Sequence, residues 1–111
     1  MPPRLLCPGV TTAPLEHEPL PPEEVLDGSP TTAVHSLASV GGAEVGIWEM
    51  TRGTVRDTEV DEVFVVVTGR GTVTFQDGEA VELSPGVAVR LTAGERTRWT
   101  VTETVRKVWV A

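Results

Sequence analysis

From residue 31 onward, short runs rich in β-branched and aromatic residues alternate with small polar clusters. The runs are "TAVHSLAS", "AEVGIWEM", "EVFVVVTG", "GTVTFQ", "EAVELS", "GVAVRLTA", "RTRWTVTE" and "VRKVWVA". Between them stand "GG" at 41–42, "RG" at 52–53, "GRG" at 69–71, "DG" at 77–78, "SPG" at 84–86 and "AG" at 93–94. Strand-length runs punctuated by turn signals every ~8 to 12 residues predict an all-β sandwich or barrel. The "QDG" between "GTVTF" and "EAVEL" predicts a tight hairpin, with Gly78 suited to a positive φ. No stretch after residue 30 carries a helical period. The pattern therefore predicts an antiparallel β-barrel or jelly roll.

Residues 1–30 have a different character. Eight of the nine prolines lie there, with Glu16, Glu18, Glu23, Glu24 and Asp27 against the single base Arg4. Proline fixes φ and lacks an N–H, which excludes a regular helix or a central strand. An extended arm is expected, with one short turn at "PPEEVL", where Pro22 can start a helix. Leu15, Leu20, Val25 and Leu26 give this arm an apolar side. It is expected to pack along the barrel of residues 31–111 or across the partner in a homodimer.

Composition narrows the function classes. A chain of 111 residues suits one domain with one modest core. A net charge of -7 disfavours nucleic acid, because phosphate backbones need a basic face. Cys7 is the only cysteine, so an intrachain disulfide and a cysteine-based metal cluster are both excluded. No histidine lies near it in sequence, and it reads as a passive thiol. No apolar run approaches the ~20 residues of a membrane span. The start "MPPRLLCPGV" is too short and too broken in its apolar part for a signal peptide. A cytoplasmic protein without membrane or nucleic-acid partners is expected.

The segment "TEVDEVFVVVTG" (58–69) brings Glu59, Asp61 and Glu62 together just before an apolar strand. Such acids can hold a metal, act as general bases or keep an edge soluble. Glu62 followed six residues later by Gly69 resembles the second half of the first cupin motif, G-x5-H-x-H-x3–4-E-x6-G. Gly86 and Gly94 resemble the two glycines of the second, G-x5-P-x-G-x2-H-x3-N. "GIWE" (46–49), "DEVFVVVTG" (61–69) and "RWTVTETVRKVWV" (98–110) further resemble the small single-domain cupins related to ureidoglycine aminohydrolase, over about residues 34 to 110. The resemblance implies a single cupin-type barrel, in which most enzymes hold a metal with two His and a Glu of the first motif and one His of the second.

Carried over position by position, only Glu62 keeps its place. The first-motif histidines fall on Arg56 and Thr58, or on Val55 and Asp57 in the other register, and the second-motif histidine falls on Thr97. His17 and His35 lie outside both motifs, the first incidental in the arm and the second a surface or satisfied imidazole. Three or four ligands are needed for a working metal site, and carboxylates alone would favour a hard cation. No cofactor is expected, with a divalent metal such as Mn on Glu62 the disfavoured option.

Period-2 alternation then describes a pocket. With Glu62 inward, Thr58, Phe64 and Val66 share its face, while Glu59 and Asp61 point to solvent. Thr97 and Trp99 share the inner face of their strand, and Trp48 is a third wall. A barrel lined by Trp48, Phe64 and Trp99, with Glu62, Thr58 and Thr97 as polar groups, has the make-up of a small-molecule site. Arg56, if inward, would partner Glu62 or an acidic ligand. Arg106 and Lys107 read as surface or interface charges, and Trp109 as core or interface. The favoured reading is a cupin that binds a small molecule without a histidine-based metal site. Its alternatives are a ureidoglycine aminohydrolase-like enzyme acting on a small ureido or amino compound, with Glu62 as metal ligand or general acid/base, and an interaction protein dimerised through its arm.

Overall fold

A computed structural model describes residues 3–111. In chain order the strands are β1 (Glu18–Pro19), β2 (Val25–Asp27), β3 (Thr31–Val40), β4 (Ala43–Met50), β5 (Gly53–Thr58), β6 (Glu62–Phe75), β7 (Ala80–Leu83), β8 (Ala88–Leu91) and β9 (Arg96–Val110). All pair antiparallel in one curled sheet, the all-β barrel that the alternation predicts. Among the described residues no helix is long and apolar enough to cross a membrane.

Two long strands form the frame. β6 and β9 pair from Val63↔Val110 to Phe75↔Thr97. On its other edge β9 pairs with β5 through its first half and with β4 through its second. β6 takes β8 and β7 on its free edge, and β3 extends the sheet beyond β4.

The runs "EVFVVVTG" and "GTVTFQ" are one strand, not two separated by a turn at "GRG". Gly69 has φ 95°, and the β6–β9 register shifts three times between Val66 and Gly71. A Cβ at Gly69 would overlap the Thr104 carbonyl. The glycine therefore bends the strand within the ladder, as a bulge does, and hydrogen bonding continues past it. "RTRWTVTE" and "VRKVWVA" likewise join into the 15 residues of β9.

Alternate residues of these strands fill the barrel. Phe64, Val66 and Val73 from β6 meet Trp99, Val101 and Val105 from β9, each at most 3% exposed. Leu83, Val89 and Leu91 close the side under β7 and β8.

Residues 3–30 hold a 3-10 turn at Pro22–Glu24 and the two short strands β1 and β2, which pair with β3 and β5. On the outer face of β4 and β9, Arg106 lies buried, which corrects its reading as a surface or interface charge. Its Nε donates to Glu49 Oε1 at 2.9 Å, and its Nη1 donates to the carbonyls of Val10 (2.9 Å) and Ala13 (2.8 Å). His17 is not incidental either: its Nε2 lies 2.6 Å from Glu49 Oε2 and its Nδ1 2.9 Å from Thr31 Oγ1. Burial alone would push the Glu49 carboxyl up, but Arg106 and His17 outweigh it and hold Glu49 below the usual carboxylate range.

Candidate functional site

The inner face of β9 carries a lysine. Val105, Lys107 and Trp109 take up the odd-numbered series Thr97, Trp99, Val101 again beyond the exposed Glu103, and Lys107 keeps only 6% of its side chain exposed. Its Cα is paired with Trp48 on β4 and with Val66 on β6. This register sets Lys107 Nζ over three rings, 4.7 Å from the Trp48 centroid, 4.3 Å from Phe64 and 4.9 Å from Trp99. The same nitrogen donates to Glu62 Oε2 at 2.5 Å. Burial pulls the Lys107 ammonium below the ordinary lysine range, and the Glu62 carboxylate opposes that pull.

Glu62 therefore points into the barrel, but its partner is Lys107 and not Arg56. Arg56 is exposed on the outer face of β5, opposite Arg98, and its Nε donates to the Glu23 carbonyl at 2.8 Å. Thr58 is exposed too, paired with Arg96. Phe64 is buried against Lys107, and Trp48 and Trp99 stand 5.2 Å apart between ring centroids.

The acidic cluster is arranged differently from the expectation that only Glu62 turns inward. β5 ends at Thr58 and β6 begins at Glu62, so no continuous strand carries the alternation between them. The Glu59 N–H donates to the Glu95 carbonyl (2.8 Å) and the Gly94 N–H to the Glu59 carbonyl (2.9 Å), which anchors the turn. Gly53 and Val55 are buried on the inner face of β5, Asp57 has the same parity at the exposed mouth of the barrel, and Glu59, just past the strand end, is 8% exposed. Its Oε2 accepts from Thr97 Oγ1 at 2.7 Å and from Trp99 Nε1 at 2.9 Å. Those two donors satisfy a carboxylate that burial would otherwise penalise. Asp61 is exposed, as expected, and accepts from the Ala93 N–H at 2.9 Å.

Asp57 lies opposite Thr97 in the β5–β9 register. Burial, then repulsion from Glu59, pushes its carboxyl up to about 6. Asp57, Glu59, Glu62 and Lys107 all border one cavity of about 430 Å3, with Trp48, Trp99 and Trp109 among its walls and Arg56 and Thr58 also on its border. That volume falls in the range of small-molecule sites, ~300–1,000 Å3. Among the described residues no three His, Cys, Asp or Glu side chains converge as metal ligands. Glu62 meets an ammonium, Glu59 meets two donors, and the donor set does not fit a cupin metal centre.

Lys107, Glu59 and Asp57 are among the pocket residues that escaped the sequence reading. The alternation that placed Thr97 and Trp99 inside, carried on to Lys107, would have found the first. A count from Val55 toward Glu59, instead of back from Glu62, would have found the other two.

A curled antiparallel barrel with its first-motif glutamate turned inward defines a cupin. Over residues 37–109 the chain matches the EutQ-like cupin domain family, and it belongs to that family. Solved structures share the fold. The Clostridium difficile EutQ protein is 22% identical, with TM-score 0.63 over 73% of this chain and 67% of its own. A Rhizobium leguminosarum protein of unknown function is 28% identical, with TM-score 0.65 over 71% of this chain and 78% of its own. A Pseudomonas syringae protein of the DUF861 family reaches TM-score 0.70 at 21% identity, covering 88% of this chain and 44% of its own. No curated protein matches the chain.

Proposed function

We propose that this cupin binds a small polar molecule in the barrel cavity, with Lys107 as its fixed cation and Asp57 and Glu59 as acceptors. The observation that carries the reading is the caged lysine: a buried ammonium, held by Glu62 and three aromatic rings, borders an open cavity instead of a packed core. A ligand carbonyl or carboxylate oxygen suits the ammonium, ligand N–H groups suit the carboxylates, and flat apolar atoms suit the tryptophans. Val60 is exposed and borders the cavity, so Val60→Trp would obstruct it without touching the core. A thermal-shift screen of small ureido, amino and carboxylic compounds should yield hits that stabilise the wild type and lose their effect on Val60→Trp. Hits that stabilise both proteins equally would place binding elsewhere and refute the cavity.

A second reading is favoured by Asp57. A carboxyl titrating at about 6 beside Glu59 and the Glu62–Lys107 pair suits general acid/base catalysis near neutral pH. Together with the motif resemblance it supports ammonia release from a small ureido or amino compound, with Glu62 or Asp57 moving the proton. Ammonia formation that disappears in both Glu62→Gln and Asp57→Asn would establish it. Turnover that survives both would leave binding alone.

A further inference from the structure

On the outer face of the sheet, the chain gathers three arginines that lack close ion-pair partners among the described residues. β5 presents Arg56 outward, and β9 presents Arg96 and Arg98 outward; all three are exposed. Arg56 and Arg98 are direct Cα partners, Arg98 is in turn the partner of Thr74 on β6, and Arg96 is the partner of Thr58. Among the described residues none of the three makes an ion pair with a carboxylate within 4.0 Å. This is notable in a chain with 16 acidic and 9 basic residues. Like charges placed directly opposite across two strands repel and destabilise the pairing.

A cleft of about 360 Å3 opens here, bordered by the three arginines, Thr74, Gln76 and the half-exposed Leu26, and no carboxylate borders it. Glu23, Glu24 and Asp57 border a neighbouring depression that shares Arg56 and Arg96 with the cleft. Arg56 spends its Nε on the Glu23 carbonyl, which fixes the guanidinium beside the cleft. Its terminal nitrogens make no hydrogen bond among the described residues.

We infer that this cleft binds a phosphate monoester. Guanidinium forks match phosphate oxygens in pairs, and three of them suit a group carrying about -1.5 to -2 charges and three acceptor oxygens, better than they suit a single carboxylate. The Thr74 hydroxyl and the Gln76 amide add donors, and Leu26 offers an apolar edge to the organic part. Arg56 borders both this cleft and the barrel cavity, whereas Arg96 and Arg98 do not border the barrel cavity, so Arg98→Gln separates the two sites.

Calorimetry at low ionic strength with phenyl phosphate, inorganic phosphate and poly-glutamate tests the assignment on wild type, Arg98→Gln and the triple Arg56→Gln/Arg96→Gln/Arg98→Gln variant. Phenyl phosphate should bind the wild type more tightly than inorganic phosphate does. Each arginine removed should weaken it by about tenfold or more, as for lost charge-assisted bonds. Without anion Arg98→Gln should melt higher than the wild type, since the opposed Arg56 loses its repulsion, and phenyl phosphate should narrow or invert that gap. The proposal is overturned if neither phosphate binds the wild type at millimolar concentration, or if the triple variant binds equally well. Poly-glutamate binding in the absence of phosphate binding would also overturn it, in favour of an acidic protein surface.

Discussion

The Glu62–Lys107 pair offers the sharpest quantitative test, through a cycle of Glu62→Gln, Lys107→Met and the double variant. The two side chains are 13% and 6% exposed and 2.5 Å apart, so neither charge can be rehydrated from bulk solvent without moving. Removing one partner of a buried pair costs roughly 3–5 kcal/mol, because the other is left uncompensated. Glu62 opens on the cavity, which supplies some water, so Lys107→Met belongs at or just below the low end, about 2–3 kcal/mol. Glu62→Gln leaves the ammonium over three rings, each worth ~0.5–2 kcal/mol, and its new amide oxygen can still accept; about 2 kcal/mol is expected.

The double variant behaves differently. Methionine keeps the length of the lysine stem and puts sulfur among the same aromatic faces, while glutamine carries no charge that needs a partner. Its stability should lie within about 1 kcal/mol of the wild type, giving a coupling of about 3–5 kcal/mol. Urea unfolding followed by tryptophan fluorescence measures all four proteins, since Trp48 and Trp99 touch the lysine. The coupling should persist at ~1 M salt, where an exposed pair would be screened. Additive single variants, with a coupling under about 0.5 kcal/mol, would refute the caged-lysine argument.

Asp57 gives a pH signature. A carboxyl raised from 3.8 to about 6 in the fold keeps a proton that the unfolded chain has released, so stability falls as pH rises through that window. The full linkage would be ~3 kcal/mol, and the exposure of Asp57 reduces it to about 1 kcal/mol. Melting temperatures of Asp57→Asn should therefore exceed the wild type above pH ~6 and converge with it below pH ~4; parallel curves would contradict the raised carboxyl. Arg106→Met removes two carbonyl contacts and leaves Glu49 with His17 alone, at a cost of about 3 kcal/mol. Limited proteolysis read by mass spectrometry should then show new cleavage within residues 10–17, and an unchanged digest would mean that Arg106 does not hold this segment.

The strands were legible because alternation and glycine punctuation both report the backbone directly. "AEVGIWEM" coincides with β4, and "GG", "DG", "SPG" and "AG" each fall between strands. "GRG" misled because glycine marks a change of backbone direction without saying whether the ladder breaks there. At Gly69 it bends and continues, since β9 has register partners on both sides of it. The pocket was legible only in part, for a related reason. Alternation fixes faces within one strand and says nothing across a turn, so anchoring the count at Glu62 put Glu59 on the wrong side of the wall.

Lys107 was missed through chemistry and not through geometry. A lysine in "VRKVWV" reads as a surface charge because burying an ammonium alone is costly. The inward carboxylates of Glu59 and Glu62 reverse that reasoning, since a barrel interior holding two acids needs positive charge or donors to match them. Thr97 and Trp99 answer Glu59 with two hydrogen bonds. Neither histidine of the chain is near Glu62, so the remaining carboxylate must be met by another cation. Across the β6–β9 ladder Lys107 stands opposite Val66, four residues along from Glu62, close enough for its long side chain to reach back to the carboxylate. The inward glutamate and the inward lysine are thus one feature of the sequence, and either one predicts the other once the face of β9 is known.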